Sequence, residues 1–513
     1  MPEYVENPWI NPNTIEKREY QESIVETALS DNTLCVLPTG LGKTSIAALV
    51  VANILEKKKN AKILFMAPTR PLVEQHKKTF EKIFKLGLNF EVVTGQNKPS
   101  ERYKIYERAD IVFSTPQTIE NDIKKDRIDL SKFSLIIFDE AHRCIGNYAY
   151  VYIAKKYVEN SNGLILALTA SPGGHRSKIN LVKNLLFIKN IEIRTREDKD
   201  VIPYIQPLKQ EWISVELSQP LKSIREYLEK SKDEKIKMLV NWNIIKTPVI
   251  NKTQIIELQQ KLSKSHGGFK FAALSVLAQI LKIDHALLLL ETQCIYSLKK
   301  YFDKLITDAS KRKTRAVERL VREIEIKNAM RLTNELYNEG KEHPKIDKLV
   351  EVVNNQIKNK KDSRIIIFAQ FRDTINKIYK TLKEIPDIKP VEFIGQAKKY
   401  GKGLSQKEQI KILNEFKIGI YNVLIASQVG EEGLDVTETD LVIFYEAVPS
   451  AIRKIQRSGR TARTRPGKVI ILITKGTRDE AFHWAGYQKE RKMKKVLKEM
   501  QKGQLTLSDI VEK

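Results

Sequence analysis

The sequence predicts an α/β protein of two parallel-sheet domains with an all-helical domain between them. Three observations carry this. Short, continuously apolar segments alternate with helical patterns from about residue 33 to 205. Strand signals then vanish from about 217 to 340, and the alternation returns from residue 364. Apolar strands without a polar face, joined by helix-length crossovers, form parallel sheets covered on both sides.

In order, the first set of strands is TLCVL (33–37), KILFMAP (62–68), FEVVTG (90–95), IVFST (111–115), LIIFDE (135–140) and LILALTAS (164–171). The middle region reads as long helices, among them LAQILKIDHALLLLETQCIYSLKKYFDKLI and the basic stretch SKRKTRAVERLVREIEIKNAMR. It ends at KEHPK (341–345), because Pro344 disfavours helix in the residue before it. The second set of strands is RIIIFAQF (364–371), PVEFIG (390–395), YNVLIAS (421–427), LVIFYE (441–446) and KVIILIT (468–474). A charged helix, DEAFHWAGYQKERKMKKVLKEMQ, follows. The expected division is 1–205, 206–340 and 341–480, with a helical tail over 481–513.

A chain of 513 residues exceeds one hydrophobic core. With 42% apolar and 30% charged residues it reads as a soluble, cytosolic-type protein. Lys and Arg outnumber Asp and Glu by 89 to 63, a net charge of +26 that favours a polyanionic partner, most simply nucleic acid. Cys35, Cys144 and Cys294 are not spaced for zinc or a disulfide framework, as in a reducing compartment. The N-terminal MPEYVENPWINPNTIEKREY lacks the charged and apolar regions of a signal peptide. The run FAALSVLAQILKIDHALLLLETQ is broken by Lys282, Asp284 and His285, so it reads as a buried helix and no membrane contact is expected.

The chemistry begins at TLCVLPTGLGKTSIAALVVANIL, a strand, a glycine loop and a helix. Gly40 and Gly42 let backbone N–H groups turn toward phosphate oxygens. Lys43 brings a charge to the outer phosphates, and Thr44 a hydroxyl to Mg²⁺. The full loop pattern has Gly where this chain has Leu37. Downstream, the strand LIIFDE ends in Asp139 and Glu140, at the sheet edge where ligands bind. Asp139 can hold Mg²⁺ and Glu140 can take a proton from an attacking water. Near the end, IQRSGRTAR spaces Arg457, Arg460 and Arg463 three residues apart, either a solvated helix face or guanidinium groups aimed at a developing charge.

Taken together, these segments resemble the superfamily 2 helicases. REYQ (18–21), PTGLGKT, APTRPLVEQ (67–75), TPQT (115–118), DEAH (139–142), LTASP (168–172), IIIFAQFRDT (365–374), VLIASQVGEEGLDV (423–436) and IQRSGRTAR stand in the family's order over both α/β domains. The resemblance implies two RecA-like domains, with ATP and Mg²⁺ in the cleft between them and a nucleic-acid strand across both. It assigns the nucleotide to Arg18 and Gln21, to the loop residues Pro38, Thr39, Gly40, Leu41, Gly42, Lys43, Thr44 and Ser45, and to Gly433 and Asp435. The metal falls to Thr44 and Asp139. Catalysis falls to Lys43, Asp139 and Glu140, with Gln456, Arg460 and Arg463 reaching over from the second domain; Arg460 and Arg463 are the expected arginine fingers. Thr69, Arg70, Thr115, Gln370, Gly395 and Ser427 are expected on the strand. His142 and Thr169 are expected to couple the two sites.

The helical insert, GLSQKEQ (403–409), YEAVPSAIRKIQRSGRTAR and ITKGTRDEAFHWAGYQKERK narrow the resemblance to archaeal Hef and the Fanconi anaemia M translocases. That family implies ATP-driven unwinding or remodelling of forked and branched DNA in replication-fork repair, usually 3′→5′. It also implies a thumb-like insert whose basic cluster Lys311, Arg312, Lys313 and Arg315 contacts DNA. A sliding-clamp or nuclease partner, and an archaeal cytoplasmic, nucleoid-associated setting, belong to the same expectation. Hef's nuclease motif ERK-x-x-x-D is incomplete, since Glu490 to Lys492 is followed by Val496 in place of Asp, so the ERK reads as a solvated face. A helicase stimulated by double-stranded RNA is the alternative; such proteins usually carry Cys where this chain has Ala141. A passive, ATP-switched binding module would need a damaged catalytic set, and Glu140, Arg460 and Arg463 are all present.

Overall fold

The computed structural model describes residues 3–170, 176–264, 269–395, 403–427, 439–448, 461 and 467–511. The first lobe opens with α1 (Glu19–Ser30), β1 (Thr33–Val36) and α2 (Lys43–Lys57). It continues with β2 (Lys62–Met66), α3 (Arg70–Ile83), β3 (Phe90–Val93), α4 (Pro99–Arg108), β4 (Ile111–Ser114) and α5 (Pro116–Ile123). β5 (Phe133–Phe138), α6 (Ala149–Asn160), β6 (Leu164–Thr169), α7 (Arg176–Leu185) and β7 (Asn190–Ile193) complete it. The seven strands form one parallel sheet in the order β3-β4-β2-β5-β6-β1-β7. Strands β1 and β4 are buried along their whole length, which requires helices on both faces. One face packs Ile46, Val50 and Phe80 from α2 and α3; the other packs Ile105, Tyr150 and Ile153 from α4 and α6.

The next segment differs from the expected division. Residues Leu208–Val215 form β8, which pairs in parallel with the last strand of the second lobe. The 206–340 segment therefore begins with a piece of the second sheet. Its exposure alternates along LKQEWISV, with Trp212 58% exposed, so it lacks the continuous apolar run of the other strands. It is an edge strand with one paired side.

The insert proper comprises α8 (Gln219–Asn241), α9 (Lys252–Lys264), α10 (Lys270–Thr292), α11 (Ile295–Ser310), α12 (Arg315–Leu320) and α13 (Ile324–Asn338). By length and composition α10 could cross a membrane. Here it is the spine of the bundle, burying Ile283, Leu287 and Leu290 against Leu228 of α8, Phe302 of α11 and Leu336 of α13. Pro344 occupies the first turn of α14 (Pro344–Asn359), where its missing N–H costs nothing.

The second lobe follows with β9 (Ile365–Phe368), α15 (Arg372–Lys383), β10 (Pro390–Phe393), α16 (Gln406–Ile418), β11 (Val423–Ala426), β12 (Leu441–Phe444) and β13 (Gly467–Thr474). Its parallel sheet runs β10-β11-β9-β12-β13-β8. The last helix, α17 (Arg478–Val511), starts against this sheet and packs on the first lobe from Met493 to Met500. Met493 and Leu497 join the first lobe's core, and Lys494 and Lys498 both pair with Glu197. Burying those two apolar side chains contributes roughly 3–6 kcal/mol to holding the lobes together. Of the ERK triplet, Arg491 and Lys492 are exposed, whereas Glu490 is partly buried and pairs with Lys494, so the triplet is only in part a solvated face.

A buried polar hub joins insert and second lobe. Lys345, in the first turn of α14, forms an ion pair with Asp479 of α17, and its Nζ donates to the carbonyls of Tyr445 (3.0 Å) and Thr292 (3.4 Å). Asp479 also accepts from the N–H groups of Ala447 and Thr474, both at 3.0 Å. Thr374 of α15 donates to Gln293 Oε1 at 2.8 Å, and Arg478 donates to Asp284 of α10 at 2.9 Å.

Candidate active site

The loop between β1 and α2 turns on two left-handed glycines, Gly40 (φ 88°) and Gly42 (φ 81°). A Cβ on Gly42 would lie 2.5 Å from Gln21 Nε2, so both torsion and space demand glycine there. Helix α2 starts at Lys43 without a side-chain cap, which leaves its first-turn N–H groups for an anion. Lys43 Nζ donates to the Leu37 carbonyl at 3.0 Å. Pro38, Thr39, Thr44 and Ser45 are partly exposed around the loop, while Leu41 is buried beneath it.

Gln21, 2% exposed, donates from Nε2 to Tyr20 Oη (3.1 Å) and to the Leu41 carbonyl (3.2 Å). Tyr20 Oη itself donates to that carbonyl at 2.8 Å. Gln21 Oε1 is buried with no partner, an open acceptor beside the loop that can take an N–H donor. Arg18 donates to Tyr20 Oη at 3.3 Å, pairs with Glu16 at 2.7 Å and lies over the Tyr204 ring at 5.1 Å.

Asp139 follows β5 and is 5% exposed. Its N–H donates to the Met66 carbonyl (2.9 Å), its carbonyl accepts from Tyr150 Oη (2.7 Å), and its Oδ2 lies 2.9 Å from His76 Nε2. Burial works to raise the Asp139 carboxyl, but the His76 bond and the charges of His76 and Lys43 hold it below its usual range. An ionised Asp139 that feels the Lys43 charge, with the Thr44 hydroxyl next to Lys43 in the loop, fits Mg²⁺, a hard cation that takes oxygen ligands; these two side chains would hold it. No group of three or more His, Cys, Asp or Glu forms a metal cage among the described residues.

Glu140 sits in the left-handed region at φ 51° and ψ 48°, strain that aims its side chain away from the line of β5. Its Oε2 is buried without a hydrogen bond, 3.3 Å from His142 Nδ1. His142 Nδ1 in turn lies 3.1 Å from Thr169 Oγ1 at the end of β6, so these two expected coupling residues are in contact.

The residues expected on a nucleic-acid strand lie at the carboxyl edges of the two sheets. Thr69 and Arg70 begin α3, and Thr115 precedes α5; the preceding strands, β2 and β4, are neighbours. Neither helix has a side-chain cap, and Thr69 Oγ1 is buried without a partner. In the second lobe Gln370, Gly395 and Ser427 follow β9, β10 and β11, which are adjacent. Gln370 is exposed, the Gly395 carbonyl accepts from Arg372 (3.2 Å), and the Ser427 N–H donates to the Phe393 carbonyl (3.0 Å). In the insert, Lys311, Arg312, Lys313 and Arg315 are exposed in the turn from α11 to α12, with Lys313 paired to Asp308. Gly433, Asp435, Gln456, Arg457, Arg460 and Arg463 lie outside the described residues.

Sequence reasoning missed His76. It falls on the buried face of α3 with Val73, Phe80 and Ile83, where a lone histidine reads as core. Its one signal is polarity on an otherwise apolar stripe.

The DEAD/DEAH box helicase family matches residues 18–178, the helicase conserved C-terminal domain matches 344–465, and a helical-bundle family named for ATP-dependent RNA helicases matches 220–338. The crystal structure of the Pyrococcus furiosus Hef helicase domain superposes with a TM-score of 0.71 at 43% identity, covering 91% of this chain and 98% of that one. A Methanocaldococcus jannaschii protein named for ATP-dependent RNA helicase activity is 42% identical over 97% of this chain and 63% of its own length. An ATP-dependent DNA helicase of Schizosaccharomyces pombe is 34% identical over 93% of this chain and 59% of its own. The mouse Fanconi anemia group M protein homolog is 32% identical over 95% of this chain, which spans 26% of that relative.

Proposed function

The chain belongs to the superfamily 2 helicases of the Hef and Fanconi anaemia M type, an ATP-driven enzyme, and from that premise we propose that it unwinds or remodels forked and branched DNA, moving 3′→5′. The observation that carries the reading is the shared sheet edge of the first lobe. The phosphate loop, the Asp139 and Glu140 carboxylates and the uncapped starts of α3 and α5 all open on the carboxyl ends of one set of strands. The first lobe, in this reading, supplies its share of the nucleotide contacts and its share of the strand contacts from one sheet edge, and the second lobe supplies the rest.

In this reading Gln21 takes the base and the loop N–H groups and Lys43 take the phosphates, while Thr44 with Asp139 would hold Mg²⁺, which would supply neutralisation of phosphate charge. Glu140, its Oε2 free of hydrogen bonds, accepts the proton of the attacking water. Gln456, Arg460 and Arg463 come from the second lobe, so turnover requires the cleft to close, and closing and opening step the protein along its strand. Thr69, Arg70, Thr115, Gln370, Gly395 and Ser427 contact the strand's backbone, and the insert's basic turn contacts the duplex ahead. A clamp or nuclease would act as a partner on the same DNA.

Purified protein should hydrolyse ATP faster with forked DNA than without, and should displace strands on forks in preference to simple duplexes. Lys43→Ala and Glu140→Gln should each abolish the stimulated turnover, by at least about 10²-fold for the general base. Full stimulated activity in either variant would sink the assignment. A second reading, an RNA helicase, is favoured by the names of the helical-bundle family and of the Methanocaldococcus relative. Stimulation by double-stranded RNA that exceeds stimulation by a fork of equal length would decide for it.

A further inference from the structure

Helix α3 has an end at the strand edge and a side chain in the nucleotide site. Thr69 and Arg70 stand at its N-terminus, and six residues beyond Arg70 His76 meets Asp139. The separation is about 9 Å along the axis, or under two turns. The face that carries His76 is locked: Val73, Phe80 and Ile83 are buried beside it. The imidazole lies against Phe65 of β2 with ring centroids 4.4 Å apart, and Phe65 meets Phe80 edge-on at 5.6 Å. α3 therefore cannot tilt without carrying the imidazole with it.

The main chain of Asp139 is held on both sides by Met66 and Tyr150. Its carboxylate is bonded by the Glu140 backbone N–H within its own turn, and the 2.9 Å contact with His76 Nε2 is the side-chain bond that fixes its rotation from another element. His76 and Asp139 are 7% and 5% exposed, so no water competes effectively for the bond. An ionised carboxylate can only accept, so the proton of this bond sits on Nε2.

We propose that His76 is a positioning residue through which strand contact at Thr69 and Arg70 sets the orientation of the Asp139 carboxylate for the divalent cation. The link runs through α3. It is separate from the His142–Thr169 contact, which joins the same carboxylate pair to β6. It rests on the nucleotide and strand assignments proposed above.

The test compares His76→Phe, which keeps the ring packing on Phe65 but has no N–H, with His76→Gln, which keeps a donor. Two quantities are read in the full chain: Mn²⁺ binding with ADP, by electron paramagnetic resonance, and the ratio of fork-stimulated to basal ATP turnover. Outer-sphere partners of metal ligands are worth about 10–100-fold, so His76→Phe should weaken Mn²⁺ by at least about 10-fold. The stimulation ratio should fall toward one while nucleotide-free affinity for the fork stays at the wild-type value, and His76→Gln should recover part of both. Wild-type Mn²⁺ affinity and stimulation in a folded His76→Phe chain would overturn the proposal, as would a Gln variant no better than Phe. Where the Phe variant does not fold, His76→Met supplies the same comparison with a side chain that adapts to the site. A wild-type chain indifferent to DNA would overturn the functional reading instead, and the Mn²⁺ arm would still judge His76.

Discussion

Lys345 and Asp479, 134 positions apart, form an ion pair from which solvent is wholly excluded at both side chains. It joins the first turn of α14 to the first turn of α17, at the point where the insert, the second lobe and the strap to the first lobe converge. Removing one partner strands the other charge in the interior. Lys345→Met should therefore lower stability by about 3–5 kcal/mol in denaturant unfolding. The double variant Lys345→Met, Asp479→Leu should lose less than the sum of the single ones, since no lone buried charge remains.

Gly42 separates a torsional requirement from a contact. Gly42→Ala places a Cβ at φ 81°, against Gln21 Nε2. The strain is of order 1–3 kcal/mol. The expected outcome is weaker binding of a fluorescent ATP analogue, and Gly42→Ala should cost less when added to Gln21→Ala than when added to the wild type, because no Nε2 is left to clash. An unchanged affinity in Gly42→Ala would show that the loop reshapes freely.

Stability should fall on acidification through one buried histidine. His343 precedes α14, and its Nδ1 accepts from the Lys345 N–H at 3.2 Å, which requires the neutral ring. Burial and the neighbouring Lys345 charge push its pKa down from 6.5 to about 3. Its stability contribution is complete above pH 6.5 and is lost as pH falls toward 3, at up to about 1.4 kcal/mol per pH unit. His343→Asn, which can still cap the helix, should flatten that limb of the curve of melting temperature against pH.

The insert's basic turn is testable by salt. Lys311, Arg312 and Arg315 are exposed, whereas Lys313 is held by Asp308. If the first three meet phosphates, the triple alanine variant should reduce the slope of log affinity against log salt by roughly 0.9 for each phosphate no longer neutralised. Lys313→Ala alone should change it less. A slope equal to the wild type would make the turn an ordinary solvated surface.

Strands buried on both faces declared themselves in the sequence, because a parallel sheet demands an uninterrupted apolar run; β1, β2, β4 and β9 all read this way. The glycine loop was legible for the same kind of reason, since positive φ at Gly40 and Gly42 restricts composition. β8 was not, because an edge strand with a half-exposed Trp212 takes its identity from pairing with β13, far off in sequence. The grip of α17 on the first lobe was half legible. Met493, Leu497 and Met500 recur at helical spacing, but the charge around them hid the stripe. His76 was hidden by the strength of its surroundings: a histidine among Val73, Phe80 and Ile83 looks like packing until Asp139, 63 positions later, is brought beside it.

The placement of β8 has a consequence for synthesis on the ribosome. Val215 leaves the exit tunnel 252 residues before Gly467, the first residue of the strand it pairs with. At about 5–20 residues per second that is roughly 13–50 seconds during which a strand waits without its neighbour while the whole insert is made. A nascent chain arrested before residue 467 should expose that strand to chaperones, and a fragment starting at residue 341 would lack it altogether.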